Sequence, residues 1–196
     1  MMSIFKTSIC MLLTLTQYLI LLPTTYAQVN DISEFARGDH VYMPLNSDLT
    51  HTLSQETSGM HQFEGSLVLT GKVEVFWYTW TLDEESEIRM KLEFIPRTDE
   101  LEKIPLVLYP HEHFKLAKRL ELNTPNEALA QIFGAKTAAS IIKNQTSRSI
   151  EGIAEFSVYQ TFIECDRRYF QATLIKFDAQ STAQDLAYQY KKRCGD

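Results

Sequence analysis

Cysteine is scarce in this chain: three residues in 196. Cys10 lies inside an apolar leader, which leaves Cys165 and Cys194 for the folded part. Two cysteines are sparse for a small animal secreted module and ordinary for a bacterial periplasmic protein. Glycine (7) and proline (6) are also few, and no Gly/Ser-rich or Pro-rich linker, repeat or low-complexity tract divides the chain. No segment after the leader is apolar enough to span a membrane. No long basic run occurs, and 19 Lys and Arg stand against 25 Asp and Glu. That balance argues against nucleic acid and against an anionic membrane surface as partners. The nucleophile signature G-x-S-x-G, the Walker loop and the dinucleotide fingerprint are all missing, so no motif specifies a reaction and no cofactor is expected.

What is present begins with an export signal. Lys6 is the only charge in Met1–Ala27. It precedes the apolar stretch Ile9–Leu22, which is interrupted by Thr14, Thr16 and Gln17 and ended by Pro23. Thr25-Tyr26-Ala27 then supplies small residues where a signal peptidase reads. The stretch is shorter than the ~20 residues a bilayer span needs. The expectation is a signal peptide over 1–27, cleaved after Ala27, and a single soluble domain over 28–196 in the periplasm or outside the cell. In that oxidising compartment Cys165 and Cys194 are expected to form a disulfide. Closing a loop of about 30 residues contributes roughly 3.5 kcal/mol in the chain-entropy model.

Period-two alternation dominates the rest. Glu64–Thr70 and Lys72–Leu82 flank Gly71, and Glu87–Phe94 sets Ile88, Met90, Leu92 and Phe94 against Arg89, Lys91 and Glu93. One buried and one wet face predict an antiparallel hairpin about Asp83–Ser86. Ile150–Cys165 and Tyr169–Phe177 predict a second hairpin, turning at Asp166-Arg167-Arg168. His40–Met43 and Ile104–Tyr109 read as short strands, Asn46–Gly59 and Pro96–Lys103 as loops, and Asp31–Ala36 as a short helix. Thr124-Pro125-Asn126-Glu127 predicts a helix start with a capping box and Gly134 its stop, with Ala135–Ile142 a second short helix. Ser181-Thr182-Ala183-Gln184 predicts the opening of a last helix, its apolar face marked by Leu186, Ala187 and Tyr190. The fold class is therefore α+β: mostly antiparallel sheet with a mid-chain helix, a C-terminal helix and one disulfide.

Candidate chemistry is thin. His111 and His113 share a strand face if their segment is extended, but His40, His51 and His61 do not complete a zinc spacing, so no metal site is expected. Glu164 and Asp166 bracket Cys165 as a possible acid–base pair, yet Arg167 and Arg168 follow, and a salt-bridged hairpin tip accounts for all four. Alternation sends Phe76, Tyr78 and Trp80 to one face and Trp77 to the other. An exposed aromatic face would suit a protein or sugar partner, while a sheet covered on both faces is the plainer reading. Over Gly152–Cys194 the tail, strand, Glu-Cys-Asp with basic residues, strand and terminal Cys, resembles small exported proteins of Gram-negative bacteria, including surface-adhesin domains. The function expected is a non-enzymatic binding domain for another protein or a small ligand, for example of an inhibitor or immunity type. The alternative is a hydrolase with an unrecognised active site.

Overall fold

The two runs around Gly71 are one strand. The computed structural model describes residues 26–29, 39–55, 59–82, 85–109, 116–164 and 167–187, with 26–29, 80–82, 85–86 and 164 described by backbone alone. In chain order the elements are β1 (Tyr26–Val29), β2 (His40–Pro44), β3 (Asp48–Gln55), β4 (Met60–Leu82), β5 (Glu85–Pro96), a 3-10 helix (Thr98–Lys103), β6 (Leu106–Leu108), β7 (Leu120–Leu122), α1 (Pro125–Phe133), α2 (Ala135–Asn144), β8 (Arg148–Glu164), β9 (Arg167–Ala179) and β10 (Gln184–Asp185). Sheet predominates and both expected hairpins form, β4 with β5 and β8 with β9, consistent with an α+β class.

The long strands close on themselves. The larger sheet runs β10-β8-β9-β7-β5-β4-β3, and β8 also pairs with β4. This makes a ring of β4, β5, β7, β9 and β8, antiparallel throughout except for the parallel β7–β9 step. Following paired residues round the ring shows the closure. Gln62 faces Gln160, then Gln171, Glu121, Glu93 and finally Glu74, so the path returns to β4 well beyond its starting point. That offset is the stagger a closed, tilted barrel requires. Every residue on this path is polar. The adjacent path, Phe63, Tyr159, Ala172, Leu122, Leu92 and Val75, is wholly buried and apolar apart from one phenol. Alternation thus becomes a wet outside and a dry inside. With the helical segment between the third and fourth barrel strands, the connectivity is that of an OB-type Greek-key barrel.

Tight bending of the barrel rests on glycines. Gly71 and Gly152 face each other across β4 and β8. A Cβ on Gly71 would lie 2.4 Å from the Ile95 carbonyl oxygen and 2.6 Å from the Phe94 ring. One on Gly152 would lie 2.4 Å from the Phe177 ring. A glycine inside a strand that reads as punctuation is therefore a point of close approach. α1 packs against β9 and β5, and Ala128, Leu129 and Ile132 with Ala138 and Ile141 of α2 join the same core as the barrel. A small sheet, β1-β2-β6, adds Val41, Met43 and Val107 to that core.

Several local expectations change. Asp48–Gln55, inside the expected loop Asn46–Gly59, is the edge strand β3. Its Ser/Thr-rich composition fits a strand with Leu49 buried and Thr50 and Thr52 exposed. Pro96–Lys103 contains the 3-10 helix. The helix at Pro125 begins and ends where expected, with Gly134 at φ 79°, but Thr124 is left-handed at φ 47° and makes no side-chain cap. The expected C-terminal helix does not start at Ser181. Instead Gln184 and Asp185 pair with Ser149 and Arg148, and the Leu186 N–H donates to the Ser147 carbonyl at 2.9 Å. The Ser181 hydroxyl accepts from the Glu151 N–H. The open edge of β8 takes the backbone groups that a helix would have paired with one another. Leu186 and Ala187 are accordingly not helical, and Tyr190 lies outside the described residues.

Asp31–Ala36, His111, His113, Cys165, Asp166 and Cys194 also lie outside the described residues, so the disulfide has no structural description. The expected cleavage point after Ala27 falls within β1, whose Gln28 and Val29 pair with Tyr42 and Val41.

A candidate ligand groove on the barrel wall

The outward charges predicted on β5 meet partners that are distant in sequence. β7 lies beside β5, with Glu121 opposite Glu93 and Leu120 opposite Phe94, and β9 lies on its other side. Lys91 Nζ donates to Glu93 Oε1 at 2.8 Å and to Glu121 Oε2 at 2.9 Å. Arg119 reaches the other Glu93 oxygen at 2.8 Å and Glu74 Oε2 at 3.4 Å. Lys72 extends the chain to Glu74 at 2.6 Å. The network sits on one wall of a groove of about 590 Å³. Leu116, Lys118, Arg168, Tyr169 and Phe170 complete the lining. The Tyr169 ring stacks on Phe162 across the β8–β9 hairpin, 5.5 Å between centroids. The groove is thus part apolar wall and part ordered donors and acceptors.

Its charges are held in place. Burial pushes the Glu93 carboxyl up, but Lys91 and Arg119 more than reverse this and leave it below its ordinary value of 4.5. Burial likewise lowers Lys91, and Glu93 and Glu121 outweigh it, so its ammonium titrates above the usual 10.5. Arg119 is raised chiefly by its hydrogen bond to Glu93. The Glu93 contribution is therefore complete above the ordinary carboxylate value and is lost as pH falls through the lowered one. The Lys91 contribution is complete below 10.5 and is lost as pH rises through its raised value. Across the neutral range Glu93, Lys91 and Arg119 stay ionised. Glu93→Gln should lower unfolding free energy at pH 7 by about 1–3 kcal/mol, because Lys91 and Arg119 lose a charged acceptor in a part-buried site. Urea unfolding at pH 7 and pH 4 should show the difference shrinking at the acid end; a variant equal to wild type at pH 7 would contradict this account.

The expected site residues fall elsewhere. Trp77 is buried in the core and donates its indole N–H to the Thr146 carbonyl at 3.2 Å. Tyr78, on the opposite face, is also buried, so at these positions the sheet is covered on both sides; the side chain of Trp80 is not described. Arg168 places its guanidinium 4.5 Å from the Tyr109 ring centroid. Of the acid–base candidates at the tip, Glu164 is described by backbone alone. His51 and His61 come together, Nε2 to Nδ1, at 3.2 Å. His61 Nε2 meets Asp39 Oδ2 at 3.1 Å. Because Asp39 and His51 occupy different nitrogens of His61, the three do not converge on one ion, and no metal-binding cluster occurs among the described residues.

Lys91 and Glu93 were visible as the wet face of a strand. Tyr169 was placed on a strand, but nothing in the sequence set it, Arg119 or Glu121 beside β5; the β5–β7 and β7–β9 pairings bring them there. No protein-family model, curated protein or solved structure matches this chain.

Proposed function

We propose that this protein is an exported, non-enzymatic binding domain that holds a saccharide in the groove between β5, β7 and β9. It acts in the periplasm or outside the cell after cleavage near Ala27, and carries the Cys165–Cys194 bridge. The observation that carries the reading is the Lys91–Glu93–Glu121–Arg119 network beside Tyr169 and Phe170. OB-type barrels take oligonucleotides or oligosaccharides on the face of their second and third strands, which are β5 and β7 here. Lys91 and Arg119 are already paired with Glu93 and Glu121, which leaves fewer of the groove's cations for a phosphate backbone, whose binding needs several phosphates neutralised. Hydroxyl groups suit fixed donors and acceptors, and an aromatic ring suits the C–H face of a sugar. Glu93 held ionised is the opposite of what a general acid needs.

A glycan array followed by calorimetry on the mature protein tests the proposal. Tyr169→Ala and Glu121→Gln should each weaken binding by about 5- to 30-fold, the equivalent of 1–2 kcal/mol. The reading fails if no glycan binds, or if a glycan binds equally well to both variants.

A further inference from the structure

Cations outnumber carboxylates in the groove, although they are the minority in the chain. Over the whole sequence 19 Lys and Arg face 25 Asp and Glu. Among the described residues that line the groove, Lys91, Lys118, Arg119 and Arg168 face only Glu93 and Glu121. Glu74 reaches Arg119 from outside that lining, but it comes with its own Lys72, so the pair leaves the positive excess unchanged.

The ion-pair network engages Lys91 and Arg119. Lys118 is different: it is exposed, and its ammonium makes no ion pair or side-chain hydrogen bond among the described residues. The backbone nevertheless fixes where it stands. The Lys118 N–H donates to the Leu116 carbonyl at 2.9 Å, closing a three-residue turn, and Ala117 between them is buried in the core. Leu120 and Leu122 are buried as well, so the segment is anchored on both sides of Lys118. β7 and β9 run parallel and therefore begin at the same end of the groove. Lys118 stands just before β7, and Arg168 and Tyr169 stand at the start of β9.

A neutral sugar offers hydroxyl groups, which call for donors and acceptors but no net charge. An ammonium held on an ordered turn beside an aromatic wall supplies a fixed point charge, which an anionic substituent meets with a charge-assisted hydrogen bond. We propose that the ligand of the groove is an acidic saccharide, and that Lys118 binds its anionic substituent, a carboxylate or a sulfate ester. The proposal rests on the groove being a saccharide site and specifies which saccharides that site selects. Glu93 and Glu121 take hydroxyl groups and, being carboxylates, keep the anionic group at the Lys118 end.

A glycan array that carries each backbone in neutral, carboxylated and sulfated forms, followed by calorimetry on matched pairs, tests this on the mature protein. At low salt the wild type should bind an acidic form about 3- to 10-fold more tightly than its neutral counterpart. The ratio should fall toward one near 1 M salt, where the screening length is roughly 3 Å. Lys118→Gln should abolish the ratio at low salt, and Lys118→Arg should keep it. Preference for the carboxylated form alone, or for the sulfated form alone, supports the proposal and identifies the substituent. Equal binding of acidic and neutral forms by the wild type overturns it, and so does a ratio that survives Lys118→Gln undiminished. If glycans bind through Tyr169 and Glu121 without regard to charge, the acidic preference falls and the saccharide groove stands. If no glycan binds in any form, both fall.

Discussion

Phe94→Ala should remove about 3–5 kcal/mol of unfolding free energy, among the largest losses expected from one side chain in this protein. Phe94 has no exposed surface, and its ring meets Phe156 edge to face with centroids 5.2 Å apart. It lies on β5 opposite Val73 of β4 and Leu120 of β7, so its ring fills the interior where three barrel strands converge. Truncation deletes the ring from water-free surroundings and leaves a cavity that hydrogen-bonded strands cannot collapse around. Urea denaturation at pH 7 measures the effect, and for a domain of this size the melting temperature should drop by roughly 8–15 °C. A loss below about 1 kcal/mol would mean that Phe94 does not pack inside a closed barrel.

The converse change, Gly71→Ala, should cost about 2–4 kcal/mol by overfilling the same place. The new Cβ meets the Phe94 ring at 2.6 Å and the Ile95 carbonyl oxygen at 2.4 Å. A ring can turn aside, but a carbonyl fixed in a strand ladder cannot move without disturbing the pairing of β4 with β5. The double variant Gly71→Ala/Phe94→Ala should therefore be more stable than the sum of the two losses predicts, by about 1 kcal/mol, because only the ring half of the clash is relieved. Strict additivity in a double-mutant cycle would show that the two positions do not touch. Gly71→Ala with wild-type stability would show that β4 does not bend against β5 at this point.

Gly71 also shows what local pattern leaves open. In the sequence it only separates two alternating runs, Glu64–Thr70 and Lys72–Leu82. Here the strand continues through it, because closing a ring forces β4 against its neighbours and only a residue without a side chain fits. The C-terminal segment failed for a related reason. Ser181–Gln184 carries the chemistry of a helix start, but helix and strand both satisfy backbone groups, and the exposed edge of β8 was nearer. The capping box at Thr124 was also absent, although Pro125 and Gly134 bounded the helix as expected.

By itself the sequence determined the two hairpins, the division of β5 into a charged face and a core face, the helix between Pro125 and Gly134, and the lack of any recognisable reaction motif. These features are written in local periodicity and in residues whose backbone preferences act within a few positions. Tertiary structure alone decided that the sheet closes, that Gly71 and Gly152 face one another, that Lys91 meets Glu121, and that His61 lies between Asp39 and His51. Most of those pairings join residues far apart in the chain. Stagger and bending set which strand edges meet, and no local preference of either residue carries that information.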